Sequence, residues 1–336
     1  METAALHYEL PDAAVAQQPA EPRDSSRLLV DRGPNHAPRH HHTRDLPELV
    51  GPGDVLVVNN TRVMAARLGL RKATGGRVEV LLLEPGDNGW WQALVRPGRR
   101  VPPGTHLCFD GQPVLEVGDR IADDGRRWVR PTGDAHTLMS RAGQVPLPPY
   151  VTATLADPER YQTIYADRPI SAAAPTAGLH LTDAVLDRCR RAGAEIHALE
   201  LAVGTATFAS VTTEHLHDHV MHTERYRIPE STLAACTRAD RVVAVGTTVV
   251  RALESAAATG SAEGPTRLFI TPGYRFAVVD ALLTNFHLPR SSLLALLAAF
   301  IGPRWRDLYA TALAEGYRFL SLGDAMFCTR LEPPPP

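Results

Sequence analysis

A glycine turn between an apolar run and a helical pattern is the first part of the sequence suited to binding a ligand. Residues 241–254, RVVAVGTTVVRALE, predict a buried strand, a turn and a helix. Thr247 or Thr248 can cap that helix, and the free N–H groups of its first turn then attract an anion. An ordinary strand-to-helix joint accounts for the spacing equally well. Because the segment is neither G-x-G-x-x-G nor a P-loop, it indicates no dinucleotide or P-loop nucleotide.

A second candidate segment is AAAPTAGLHL, residues 172–181. Its small residues and glycine let the backbone approach a flat ligand closely. His180 stands just before Thr182, which is a suitable cap for the next helix. Taken alone, His180 is better explained as a structural histidine with satisfied hydrogen bonds.

Histidines recur in HLHDHVMHTE, residues 215–224. In an extended chain His215, His217 and His219 would share one face and resemble zinc ligands. A solvated strand or loop is the favoured interpretation, because no H-E-x-x-H or C-x-x-C frames them. The run 40–42 of three histidines also predicts a loop. We therefore expect no metal site.

Basic residues bracket a segment that contains Trp90 and Trp91. A β-barrel with exposed arginines and aromatic rings can hold a nucleic-acid loop by phosphate contact and stacking. A solvated surface around a tryptophan core is the alternative, and composition favours it. The arginines singled out as candidate nucleic-acid ligands are Arg62, Arg96, Arg99 and Arg100.

The composition limits the class of protein. The chain has 336 residues, 44% of them hydrophobic and 21% charged, which excludes wholesale disorder, collagen and disulfide scaffolds. A net charge of −2 argues against coating nucleic acid by charge alone. The apolar run 293–301 is too short to span a bilayer, and the first residues lack a signal-peptide pattern. We therefore expect a cytoplasmic protein, without a membrane partner, whose four widely spaced cysteines are reduced.

Strands and helices alternate over much of the chain, which predicts an α/β body with a mixed sheet. The predicted strands are 54–59, 195–203, 241–245, 266–270 and 318–322. The predicted helices are 183–192, 231–238, 249–258, 292–301 and 305–315. The body would comprise residues 1–64 and 150–330, followed by a disordered proline-rich tail, 331–336.

Residues 65–149 have a different sequence pattern from the rest of the chain. Short β-prone runs are separated by glycine and proline, at 77–83, 90–95, 105–109 and 127–130. No helical pattern precedes Thr137. This segment predicts a small antiparallel β-barrel inserted into the α/β body.

Eleven ordered blocks resemble the S-adenosylmethionine:tRNA ribosyltransferase-isomerase (QueA) family of queuosine biosynthesis. They extend from residue 8 to residue 326 and therefore cover nearly the whole chain. The blocks are YELPDAAVAQQPAEPRDSSRLLV from Tyr8, DLPELVGPGDVLVVNNTRV from Asp45, RKATGGRVEVLLL from Arg71, ALVRPGRR from Ala93, VPLPPYV from Val145, ERYQTIYA from Glu159, APTAGLHLT from Ala174, MHTERY from Met221, AVGTTVVRALES from Ala244, PGYRFAVVDALLTNFHLPRSSLL from Pro272 and AEGYRFLSLGDAM from Ala314.

The resemblance implies an activity on tRNA. Such enzymes move the ribosyl unit of S-adenosylmethionine onto 7-aminomethyl-7-deazaguanine in the anticodon loop, giving epoxyqueuosine and releasing adenine and methionine. S-adenosylmethionine is then a co-substrate, and no prosthetic group or metal is implied. The family fold is also an α/β body with an inserted barrel. We expect a monomer.

The chemistry of that reaction selects candidate residues within the matched blocks. The sulfonium acidifies the neighbouring C5′–H, so a general base is needed; the candidates are His180, His222, Glu224 and His287. An arginine or a helix N-terminus suits the methionine carboxylate. The candidate substrate-binding residues are Thr176, Gly178, Thr247, Thr248, Arg251, Asn285 and Asp324.

The chain departs from the family pattern at several motif positions. Where the pattern is LHVGxGTFxPV, this chain has LAVGTATFASV at 201–211, so Ala202, Ala206 and Ser210 replace a histidine, a glycine and a proline. Val249 replaces a serine and Leu322 a tyrosine. Two alternatives stay open on this basis: a paralog that uses S-adenosylmethionine with a non-tRNA acceptor, and a non-catalytic RNA-binding relative.

Overall fold

The structure is a computed structural model that describes residues 1–33, 36–121, 125–204 and 210–331. The chain divides into two compact units. The larger comprises Met1–Arg62, Pro148–Arg168 and Ala174–Pro336, and the smaller comprises Val63–Leu147 and Pro169–Ala173. Residues 332–336 of the predicted tail lie outside the described part of the chain.

The described residues form strands and helices in the following order. The strands are β1 Arg27–Val30, β2 Arg39–His42, β3 Asp54–Asn59, β4 Arg62–Val63, β5 Arg67–Lys72, β6 Arg77–Pro85, β7 Trp91–Arg96, β8 Thr105–Phe109, β9 Gln112–Arg120, β10 Arg126–Pro131, β11 Gly143–Gln144, β12 Pro169–Ser171, β13 Glu195–Leu201, β14 Glu224–Arg227, β15 Arg241–Val245, β16 Glu263–Thr266, β17 Ala281–Asn285 and β18 Ala325–Thr329. The α-helices are α1 Ala135–Ala142, α2 Asp183–Arg191, α3 Glu230–Arg238, α4 Thr247–Thr259, α5 Ser292–Ile301 and α6 Trp305–Ala314.

The larger unit is built on a mixed sheet with the strand order β16-β14-β13-β3-β15-β17-β18-β1-β2. Strands β13, β3, β15 and β17 are parallel neighbours. Every residue of β3 is buried, as expected for the centre of a sheet covered on both faces. Because these four strands are parallel, their carboxyl ends meet at one edge of the sheet.

The smaller unit is a closed antiparallel barrel. Its strands follow the order β5-β6-β7-β10-β9-β8, and β8 pairs back onto β5 through Arg71↔Cys108 and Lys72↔Leu107. Alternate side chains point inward, so that Leu68, Val80 and Val129 are fully buried. The predicted fold class, a mixed-sheet α/β body with a small antiparallel barrel, is confirmed.

Three local predictions are wrong. The strand predicted at 266–270 is β16, which ends at Thr266 where its pairing with β14 ends. The last strand is β18 rather than 318–322, because the carboxylate of Asp324 accepts the Arg318 N–H and folds that segment into a turn. The histidine run predicted as a loop is strand β2, held at the sheet edge by antiparallel pairing with β1.

Helix α2 begins where the sequence predicts. The Thr182 hydroxyl accepts the N–H of Val185 over 3.2 Å, which confirms the predicted cap. The longest helix in the described ranges is α4, with 13 residues. Over those ranges, no helix combines the length and the apolar character needed to cross a membrane.

Candidate functional site

Polar residues gather where the parallel strands of the larger unit end. Asn59 ends β3, Gly246 follows β15, and Asn285 ends β17. The Asn59 side chain ties this edge together: its Nδ2 group donates to the Leu201 carbonyl oxygen over 2.9 Å and to Thr248 Oγ1 over 3.4 Å. Ligands of α/β proteins bind outside the carboxyl ends of such strands. The sequence predicts a strand end at Asn59 but indicates no role for its side chain.

A cavity opens at this edge, which we call the strand-end cavity. It brings together five of the predicted site residues from three separate segments: Thr176, Thr247, Thr248, Asn285 and His287. The rest of its lining is small or apolar: Ala174, Pro175, Ala177, Val203, Gly246, Thr284 and Leu293.

The N-terminus of α4 faces this cavity. The N-cap is Gly246, whose φ of 95° is a left-handed conformation that favours glycine, and no side chain caps the helix. The predicted capping by Thr247 or Thr248 is therefore wrong, because the chain enters the helix through the glycine itself. Both threonines are in the first turn, where N–H groups without intrahelical partners create a partial positive charge.

Asn285 is the polar centre of the strand-end cavity. Its Nδ2 group donates to Nε2 of His180 over 3.0 Å and to the Leu320 carbonyl oxygen over 3.2 Å. Its Oδ1 atom is buried and has no hydrogen-bond partner among the residues that the structure describes. That oxygen therefore has an unused capacity to accept a hydrogen bond, such as one from a hydroxyl or an amine.

His180 supports Asn285 from behind instead of lining the cavity. Burial, together with the smaller effect of the charges of Arg318, Arg160 and Arg23, lowers the pKa of His180 to about 4. A neutral imidazole accepts the asparagine N–H at Nε2, so its proton is on Nδ1. This hydrogen bond favours a role for His180 in positioning the Asn285 side chain rather than in proton transfer.

His287 lines the strand-end cavity and is fixed through its backbone and its ring. Its N–H donates to the hydroxyl oxygen of Tyr309 over 2.8 Å, and its carbonyl oxygen accepts from the Tyr8 hydroxyl over 2.5 Å. Its Nε2 lies 3.0 Å from Thr284 Oγ1. Burial lowers the pKa of His287 to about 3, so the ring is neutral near pH 7. Neither tyrosine was predicted as a site residue, because the partners of both are distant in sequence.

A second cavity, which we call the Arg251 cavity, shares Leu293 with the first. Its polar members are Gly204, His219, His222, Glu224, Arg251 and Ser292, and its apolar members are Met221, Leu268, Phe269, Ile270, Leu293 and Leu296. Glu224 and Arg251 are both about 5% exposed and form an ion pair. The Gly204 N–H also donates to Glu224 Oε1 over 2.9 Å.

Two of the predicted substrate-binding residues lie outside both linings. A Cβ atom on Gly178 would lie 2.0 Å from the Tyr165 hydroxyl, so the glycine allows close packing. The carboxylate of Asp324 accepts the N–H groups of Arg27 and Arg318, over 2.9 and 2.8 Å. Both positions therefore support the fold near Asn285.

The predicted nucleic-acid arginines fall into two groups. Arg62 belongs to the larger unit and forms an ion pair with Glu159. Arg96, Arg99 and Arg100 are exposed at one end of β7 in the barrel unit.

The turn that carries Arg99 and Arg100 is held in place by a buried arginine, Arg127. Arg127 is only 3% exposed and donates to the carbonyl oxygens of Gly98, Val101 and Gly118. Trp91 is packed in the barrel core, whereas Trp90 is half-buried under the Arg130 guanidinium at 5.0 Å. Arg127 was not among the predicted residues, because composition does not distinguish a core arginine from a surface one.

The histidine-rich segment does not form an extended strand. Residues 216–218 make a 3₁₀ turn, and the rings of His215 and His217 stack at 5.3 Å. In the described part of the chain, no group of three or more histidine, cysteine or acidic side chains is arranged to hold a metal ion.

The departures from the family pattern occupy different environments. Val249 and Leu322 are buried, at 0% and 2% exposure, and Ala202 lies just beyond β13. Ser210 pairs in an isolated bridge with Ser291. Ala206 falls outside the described residues.

Known proteins resemble the chain over almost its whole length. A model of the family described as queuosine biosynthesis protein matches residues 3–328. The S-adenosylmethionine:tRNA ribosyltransferase-isomerase of Rubrobacter xylanophilus is 51% identical over 97% of this chain and 97% of its own. That of Thermus thermophilus is also 51% identical, over 96% and 98%.

A solved structure agrees with these relatives. The crystal structure of S-adenosylmethionine tRNA ribosyltransferase from Thermotoga maritima has 35% sequence identity and a TM-score of 0.55, and the match covers 96% of this chain and 99% of that one. These similarities extend across every segment that lines the two cavities. With a family model matched from residue 3 to residue 328, the chain is a member of the queuosine biosynthesis protein family.

Proposed function

We propose that this protein is an S-adenosylmethionine:tRNA ribosyltransferase-isomerase. It transfers and isomerises the ribosyl unit of S-adenosylmethionine onto 7-aminomethyl-7-deazaguanine in tRNA, giving epoxyqueuosine, adenine and methionine. One observation supports this function above the others. Four segments that resemble the family, those around Thr176, His222, Thr247 and Asn285, are far apart in sequence and meet at two adjoining cavities.

The strand-end cavity is the proposed site of the nucleoside. Oδ1 of Asn285, buried without a partner among the described residues, would accept a hydrogen bond from a ribose hydroxyl. The N-terminus of α4, at Thr247 and Thr248, would stabilise the negative charge that develops on the departing adenine. Thr176 shapes the opposite wall.

The proton of C5′ needs an acceptor beside the sulfonium. We assign this role to His222, because it is an exposed imidazole in the Arg251 cavity that can return the proton to water. His287 is held neutral by burial and would donate or accept a hydrogen bond at the ribose. His180 positions Asn285, and Glu224 is committed to its ion pair.

The barrel is the proposed tRNA-binding unit. Residues 63–147 contain 12 basic and 9 acidic residues, although the whole chain has 35 and 37. Exposed Arg96, Arg99 and Arg100 would contact phosphates of the anticodon loop. Arg62, which belongs to the larger unit, is a separate candidate for a phosphate contact.

The cellular location and the oligomeric state complete the proposal. We propose that it acts in the cytoplasm, where tRNA is modified, and that it is a monomer. Among the described residues only Met1, Val220 and Leu331 are exposed large hydrophobic side chains, which supports the absence of an extensive apolar interface.

The decisive experiment incubates the protein with S-adenosylmethionine and tRNA that carries the aminomethyl-deazaguanine base. Mass spectrometry of the tRNA and chromatography of adenine measure both products. The expected result is equal formation of modified tRNA and adenine, and no adenine with tRNA that carries guanine. Adenine release that leaves the tRNA unmodified would indicate a different acceptor. tRNA binding without adenine release would indicate a non-catalytic relative.

A substitution tests whether His222 is the base that accepts the C5′ proton. His222→Asn should lower the turnover rate about 10²- to 10⁴-fold, as loss of a general base does, with unchanged binding of S-adenosylmethionine. His217→Asn is the matched control, since His217 is exposed in the same segment but lines neither cavity. Equal rates for the two variants would remove His222 from the mechanism.

A further inference from the structure

We propose that the Arg251 cavity is the subsite for the amino-acid arm of the sulfonium substrate, with Nη2 of Arg251 binding its α-carboxylate. This inference rests on the proposed function and extends it. It assigns a ligand group to a cavity whose apolar walls have no other role in the reaction. Glu224 keeps its ion pair with Arg251 and holds the guanidinium in place for that carboxylate.

Arg251 presents one unused nitrogen in an otherwise satisfied environment. Its Nε group donates to the Leu268 carbonyl oxygen over 3.0 Å, and Nη1 donates to Glu224 Oε2. Nη2 is buried and has no hydrogen-bond partner among the described residues. Buried guanidinium donors are nearly always paired, and carboxylates are their usual partners. The arginine is therefore arranged for one more acceptor, which a ligand would supply.

The charge of the cavity selects the kind of ligand. Glu224 neutralises Arg251, so a buried dianion such as a phosphate would be left with uncompensated charge. An α-amino acid is a zwitterion with no net charge and still offers a carboxylate to Nη2. The pair therefore favours an amino acid over a phosphate.

The walls of the cavity match the side chain of methionine. Met221, Leu268, Phe269 and Leu296 form an apolar surface beside the ion pair. Methylene groups and a thioether gain from this environment, and sulfur packs well at an aromatic ring. Before the reaction the sulfur is a sulfonium cation, which an aromatic face such as that of Phe269 also attracts.

Helix α4 sets the distance between the two parts of the substrate. Thr248 lines the strand-end cavity and Arg251 lines the Arg251 cavity. Arg251 is three positions after Thr248 along the helix, a rise of about 4.5 Å. The two methylenes between sulfur and the α-carbon span a comparable length. Leu293, which lines both cavities, marks the boundary where the sulfur would lie.

The test compares two sulfonium nucleosides in the tRNA reaction. One is S-adenosylmethionine, and the other is 5′-dimethylsulfonio-5′-deoxyadenosine, in which a methyl group replaces the amino-acid arm. Arg251→Lys keeps the positive charge beside Glu224 and removes Nη2. We expect KM for S-adenosylmethionine to rise about 10- to 100-fold, with kcat/KM for the truncated substrate changed less than about twofold. Equal losses with both substrates would overturn the proposal.

Two further variants guard against misfolding and non-specific effects. Phe269→Leu alters a half-buried wall residue and should raise KM for S-adenosylmethionine selectively, even if Arg251→Lys does not fold. Arg227→Lys changes an exposed guanidinium on β14 and should leave both substrates unaffected. Selective loss in Arg227→Lys, or no selectivity in Phe269→Leu, would contradict the assignment.

A binding measurement separates this proposal from the proposed function. L-Methionine should bind the wild-type protein in calorimetry, and Arg251→Lys should weaken it at least tenfold. If the wild type binds L-methionine in this way but releases no adenine, the proposed function fails and the subsite stands. If adenine is released but L-methionine binds both proteins equally or neither, the subsite fails and the function stands.

Discussion

The side-chain amide of Asn285 donates a hydrogen bond to Nε2 of His180 over 3.0 Å, and both groups are buried. The histidine thereby fixes the orientation of the amide, so the oxygen rather than the nitrogen is left without a partner. His180, a structural residue, and Asn285, the proposed ligand-binding residue, therefore act as a hydrogen-bonded pair. The sequence placed both in matched blocks but could not show that they touch.

Asn285→Ala should impair both stability and catalysis. The change leaves Nε2 of His180 buried without its donor, which costs about 1–3 kcal/mol of unfolding free energy, and it removes the acceptor proposed for the ribose. We expect kcat/KM to fall at least tenfold. Urea unfolding and adenine release measure the two effects. Gln144→Ala, which removes an exposed amide, is the control. An active Asn285→Ala protein would refute the role of the amide.

The buried histidines predict how stability depends on pH. The pKa values of His180 and His287 are about 4 and about 3 in the folded protein, below the usual 6.5. From pH 6.5 down to about 4 the unfolded chain therefore binds protons that the folded protein does not. Stability is complete above pH 6.5 and is lost as the pH falls.

A histidine variant isolates this effect. His287→Asn removes one of the two depressed groups, so the unfolding free energy should depend less steeply on pH, by up to about 1.4 kcal/mol per pH unit. Urea titrations at pH 7, 6 and 5 measure the slopes. Parallel slopes for the variant and the wild type would show that His287 does not titrate in this manner.

The cap of α2 offers a test that is independent of activity. Thr182→Ala removes the hydroxyl that accepts the Val185 N–H and should lower the unfolding free energy by about 1 kcal/mol. Thr182→Ser keeps the acceptor and should be close to wild type. Turnover at saturating substrate should be unchanged in both. A serine variant as unstable as the alanine variant would assign the effect to the lost methyl group.

The arginine turn of the barrel predicts how salt affects tRNA binding. Replacing Arg99 and Arg100 together with alanine should weaken binding and reduce the slope of log K against log salt by roughly one unit per lost contact, somewhat less for a single-stranded loop. Filter binding at several salt concentrations measures the slope. Arg141→Ala, an exposed arginine on α1 of the same unit, is the control. A slope equal to that of the wild type would show that Arg99 and Arg100 do not contact the phosphates of the tRNA.

Local patterns predicted the parts of the fold that local sequence determines. Strands β3 and β15 and helix α5 have the predicted bounds, because each is a continuous apolar run between turn residues. Strand β17 was missed although it lies in the sheet centre. Its pairing with β15 and β18 stabilises a short segment that has no flanking pattern of its own.

The segments that form the candidate site could be predicted from the sequence. The contacts between their side chains could not. The resemblance supplied Asn285, His287 and Arg251, which line the two cavities. It could not separate lining residues from supporting ones such as Asp324, whose carboxylate is used by backbone N–H groups. Nor could it identify Tyr8, whose hydroxyl reaches a carbonyl 279 residues away.

The pairing of β1 with β18 also affects how the protein is made. Leu28 lies opposite Ala325, so the ribosome must add almost 300 residues after β1 before its parallel partner exists. At about 5–20 residues per second this takes roughly 15–60 s. The barrel segment, 63–147, is nearly continuous in the chain and can form during that interval. The large sheet therefore closes last, and its early strands are the part of the nascent protein most exposed to aggregation and to chaperones.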